Sequence, residues 1–139
     1  MDVVFLIGRI LFATLFVFSG LTAHMGSQGV QYAKAYNAPA PELLVPLSGG
    51  VIVAGGLMIV LGIWADLGAL LVGGFLLAIT PIMHAYWKEQ DPQMRAMQQA
   101  MFMKNFALIG TALILFYAYN QLQGGAGLSI TDPLFSRWG

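Results

Sequence analysis

Four long apolar runs set the pattern of the chain, over residues 3–23, 43–63, 67–84 and 102–119, and polar or charged stretches separate them. Each is close to the ~20 apolar residues that carry an α-helix across the hydrocarbon of a bilayer. In the first run, Arg9, Ala13, Phe16 and Gly20 recur at helical spacing and form one stripe. The second run is crowded with Gly49, Gly50, Ala54, Gly55, Gly56 and Gly62, with Gly50 and Ala54 four apart. Small residues let helix backbones approach closely in lipid, so this span is expected at the centre of a bundle. The third run repeats the device with Ala69/Gly73 and Gly74/Ala78, and Pro81 removes a backbone donor near its end. The carbonyl this frees needs a partner, for which Thr80 or water is available.

The connections carry their own periodicity. Between the glycines at 26 and 29 and the prolines at 39 and 41, Val30, Ala33 and Tyr36 recur at helical spacing, predicting a short interfacial helix with Tyr32 and Tyr36 as its aromatics. Trp64, Ala65 and Asp66 form a tight turn. In residues 86–101, Lys88, Glu89, Asp91 and Arg95 accompany Met94, Met97 and Met101, which share a helical face. This predicts a second surface helix. Thioether ligation of copper(I) is the alternative, but no His or Cys flanks the run. The tail, residues 120–139, is glycine-rich, turns at Asp132-Pro133 and ends near Trp138. The expected fold is all-α: one domain over 1–139, a four-transmembrane-helix bundle with short interfacial helices in the first and third loops.

Composition agrees. Of 139 residues, 58% are hydrophobic and 9% charged, against about a quarter charged in a soluble domain. A formal net charge of zero argues against nucleic acid as a partner. The absence of cysteine excludes disulfides, thiolate metal sites and Fe–S clusters. The first run is read as a span and not a signal peptide, because Arg9 lies inside it, no small-x-small cleavage site follows, and it exceeds the ~7–15 residues of a signal core.

Four spans put both termini on one side of the membrane. Arg9, Asp66, Asn120 and Asp132 then lie toward that side, and His24, Glu42, His84, Trp87, Lys104 and Asn105 toward the other. The loops on the second side carry Lys34, Lys88, Arg95 and Lys104, which the positive-inside rule assigns to the cytoplasm of a bacterial inner-type membrane.

Two groups of residues bear chemistry. On the loop side, His84 and Trp87 are three apart, Lys104 and Asn105 open the next span, and Glu42 and His24 are at the same level. Together they define a candidate polar pocket under an aromatic lid, suited to a quinone carbonyl or an anion. The plainer account has His84 hydrogen-bonded at the interface, Lys104 at headgroup level and Asn105 bonded across to another helix. On the terminal side, an ion pair of Arg9 with Asp66 or Asp132 is expected, since an unpaired charge in lipid costs about 2.5–3.5 kcal/mol. The histidines and carboxylates are too few and scattered for a metal site.

Several of these residues together resemble the DoxX family of small four-helix membrane proteins. They are Gly8-Arg9, Phe18-Ser19-Gly20, Pro41-Glu42-Leu43, Gly55-Gly56, Gly62, His84-Ala85-Tyr86-Trp87, Phe102-Met103-Lys104-Asn105 and Gly110. Any one is weak; their order and spacing are specific. The resemblance implies a four-helix bundle and, through relatives that include a thiosulfate:quinone oxidoreductase subunit and members of oxidative-stress complexes, a link to redox chemistry. One departure is clear. Where many members carry an acid in the middle of span two, this chain reads Gly50-Val51-Ile52-Val53-Ala54, so a proton-carrying role there has no residue. The leading expectation is an accessory or anchoring subunit of a redox-linked membrane complex, not catalytic on its own, with a membrane-protein partner or further copies of itself. Quinone binding and a lipid or small-molecule carrier are the alternatives.

Overall fold

The computed structural model describes residues 1–122 and 128–135; the end of the tail near Trp138 falls outside them. Five α-helices follow in order: α1 (Asp2–Thr22), α2 (Ser27–Ala35), α3 (Pro41–Leu61), α4 (Ala65–Met83) and α5 (Pro92–Gln121). A 3-10 turn, Tyr86–Lys88, stands between α4 and α5. All but α2 are long and apolar enough to cross a membrane. Their outward side chains, among them Leu11, Phe18, Leu77 and Ile114, are large, apolar and exposed, as lipid-facing side chains are.

α3 packs against both α1 and α4, and α4 against α5. The glycines explain how. A Cβ on Gly56 would lie 2.8 Å from Val17 of α1, and one on Gly68 of α4 would lie 2.8 Å from the Gly55 carbonyl of α3. Gly73 meets Ala112 of α5. The central place expected for the second span therefore holds, but through Gly49, Gly55 and Gly56. Gly50 and Gly74 face open space, so their pairs with Ala54 and Ala78 are not the contacts. The predicted stripe of α1 is buried in full, from Arg9 through Ala13 and Phe16 to Gly20.

The first three spans begin and end within two residues of expectation. The fourth does not. No separate surface helix covers residues 86–101; α5 starts at Pro92 and runs unbroken for 30 residues. The Asp91 carboxylate caps it by accepting the Met94 N–H at 3.1 Å, and Pro92 occupies a first-turn position where no amide is needed. Met94, Met97 and Met101 are therefore an exposed face of the early turns of the fourth span.

Candidate functional site

At the terminal end the polar groups are taken up by backbone. α3 ends at Gly62, whose φ of 67° turns the chain and leaves the last helical carbonyls without helical donors. Arg9 Nε donates to the Ile59 carbonyl at 2.8 Å and Nη2 to that of Val60 at 2.6 Å. The Tyr119 hydroxyl reaches the Ile59 carbonyl from α5, and the amides of Ile130 and Thr131 donate to the Gly62 carbonyl. A cation there also suits the negative end of the helix dipole. Asp66, fully buried, accepts the amides of Leu134 at 3.0 Å and Phe135 at 2.7 Å. Among the described residues no ion pair joins Arg9 to Asp66 or to Asp132; the expected pair is corrected. Both charges are satisfied by peptide groups of α3 and the tail. The ion pair seen is Lys34 with Glu42, 2.6 Å apart on an exposed surface.

At the other end lies a half-open cavity of about 670 Å3 among α1, α2, α3, α4 and the early part of α5. Its wall is mostly apolar, with Phe16, Ile52, Phe75 and Leu76 among the lining residues, and its polar members include His24, Tyr32, His84, Lys104 and Asn105. Among the residues singled out in sequence, the structure thus brings His24, His84, Lys104 and Asn105 to one cavity.

It does not bring Trp87 or Glu42 there. α4 stops at Met83 and His84 leaves the helix with φ −127°, so the spacing that put His84 and Trp87 on one face does not apply. Trp87 is half exposed and packs edge-on against Tyr86 and Phe102 outside the cavity. It is not a lid. Glu42 is engaged by Lys34.

The polar wall is held by a network that composition and spacing did not reveal. His84 Nδ1 lies 2.7 Å from Gln98 Oε1, while Gln98 Nε2 donates to the hydroxyls of Tyr36 and Tyr32. Gln98 is only 1% exposed, so its amide joins α5 to α2 and to the end of α4 in a site closed to water. Partial burial first, and the neighbouring Tyr32 second, push the Tyr36 phenol above its usual range. About two helical turns further along α5, Asn105 donates to the Thr80 hydroxyl at 3.1 Å, and that hydroxyl donates to the Leu76 carbonyl at 2.6 Å. Thr80 thus serves the carbonyl of Leu76 and not that of Leu77, which Pro81 leaves free. Lys104 is exposed, and its ammonium lies 3.7 Å from Met101 Sδ.

Fold and site together define a multi-pass helical membrane protein with an apolar internal cavity walled on one side by imidazole, ammonium and amide groups. The DoxX family model matches residues 4–85, and the chain belongs to that family. The match spans α1 to α4 and stops before α5, so Gln98, Lys104 and Asn105 lie beyond it. No curated protein and no solved structure matches the chain.

Proposed function

We propose that this membrane protein holds a lipophilic molecule of the quinone class in the loop-end cavity, as an accessory subunit of a redox-linked membrane assembly in a bacterial inner-type membrane. The observation that carries this reading is the cavity itself. Ligand sites are concave and mainly apolar, with a few convergent polar groups, and this one is of a size for a ring and part of an apolar tail. The polar groups fit an oxygen-bearing ring: Lys104 offers an exposed ammonium, and His24 and His84 offer ring nitrogens at the wall. When bound, such a molecule would supply electron and proton exchange. The chain's own residues would orient its head and keep its tail from water, and a partner would supply the reductant.

Binding of an alkyl benzoquinone to the purified protein in nanodiscs tests the reading. Replacing His84 or Lys104 by Ala should weaken binding, and unchanged binding in both variants would remove the proposed site. The accessory role is tested separately by purification in mild detergent, where a protein that always runs alone counts against it.

A further inference from the structure

Resting on that reading, we propose that the cavity is set to receive the hydroxyl-bearing, reduced form of its ligand in preference to the carbonyl form, because both histidines present an unprotonated Nε2.

The tautomer of each ring follows from its neighbour. Gln98 is almost fully buried, and an amide nitrogen in such a place needs acceptors for both of its hydrogens. The hydroxyls of Tyr36 and Tyr32 are those acceptors. The reversed orientation would turn one N–H to His84 and leave the other without a partner, which is costly in a buried group. Gln98 therefore turns its oxygen toward His84, and an amide oxygen only accepts. The neutral ring of His84 must then carry its proton on Nδ1, which leaves a lone pair on Nε2.

His24 reaches the same state by a different route. Its Nδ1 lies 3.2 Å from the Ser19 carbonyl, which also only accepts, so its proton is on Nδ1 as well. Neither Nε2 has a hydrogen-bond partner among the described residues. Every buried side-chain nitrogen and oxygen among them does have one, so both Nε2 atoms are accessible, and both rings line the cavity.

A hydroxyl group donates to such a nitrogen. A carbonyl oxygen meets it lone pair to lone pair, and relieving that contact means breaking the hydrogen bond to Gln98 or to Ser19, or adding a second proton to the ring. Lys104, a donor, can serve either form through an oxygen, so the discrimination lies with the two imidazoles.

The test compares a short-chain alkyl hydroquinone with its benzoquinone, binding anaerobically to the full chain in nanodiscs. The hydroquinone should bind about tenfold more tightly, the worth of one well-made against one unmade hydrogen bond. Equal affinities, or preference for the benzoquinone, would overturn the inference and leave the proposed function standing; binding of neither would overturn both. Gln98→Leu frees His84 to change tautomer and should shrink the ratio. Nitrogen-15 NMR of the ligand-free protein near pH 8, where an ordinary imidazole is neutral, reads the tautomers directly. Protonated Nδ1 in both rings is the expected result, and a protonated Nε2 in His84 would refute the assignment.

Discussion

At the terminal end of the bundle a guanidinium and a carboxylate are buried and each is consumed by peptide groups. At the loop end, two imidazoles and an ammonium stand around a cavity with acceptor or donor capacity to spare. The residues differ less than their surroundings do. Arg9 meets the carbonyls of a helix that has just ended, and the tail folds back to supply Asp66 with amides. His84 instead follows the end of α4, where one ring nitrogen is fixed and the other has no hydrogen-bond partner among the described residues. On the proposed reading, the terminal end holds the helices together and the loop end receives a ligand.

If so, the ends should respond differently to substitution. The largest effect is expected for Arg9→Leu, which strips two charge-assisted hydrogen bonds from the end of α3 and should cost about 3 kcal/mol or more in detergent unfolding. Arg9→Lys should recover only part, because an ammonium cannot fork across two carbonyls as a guanidinium does. Next is Gly68→Ala, whose added methyl would press on the Gly55 carbonyl and should cost about 1–3 kcal/mol; the same change at Gly50 or Gly74, which face open space, should stay within about 0.5 kcal/mol. Asp66→Ala leaves the Leu134 and Phe135 amides without their acceptor, about 1–2 kcal/mol, and should speed limited proteolysis of the tail. Smallest is Lys104→Ala, expected to shift stability by less than about 0.5 kcal/mol while weakening ligand binding. A Lys104 variant that unfolds like the Arg9 variant would erase the distinction between the two ends.

The spans and the buried face of α1 were legible because lipid imposes length and small-residue packing imposes period. Arg9, Ala13, Phe16 and Gly20 needed only helical spacing to be placed together. The partners of Arg9 were not legible, because backbone carbonyls have no letter in the sequence; a buried charge was read as seeking an opposite charge. Trp87 was misplaced because a 3.6-residue period was carried one turn past the end of α4. Gln98 was missed because one glutamine in a charged stretch looks like surface. The signal that could have found it was the Asp91-Pro92 cap, which starts α5 early enough to bring Gln98 beneath the two tyrosines.

The length of α5 has a consequence of its own. At 1.5 Å per residue its 30 residues extend about 45 Å, well beyond the ~30 Å depth of an average hydrocarbon layer. An overhang at the Pro92 end would put Gln98, six residues into the helix, near headgroup depth. Bilayer thickness then governs how far the mouth of the cavity is wetted, so a change of acyl chain length in a reconstituted membrane should alter ligand access without any change in the protein's sequence.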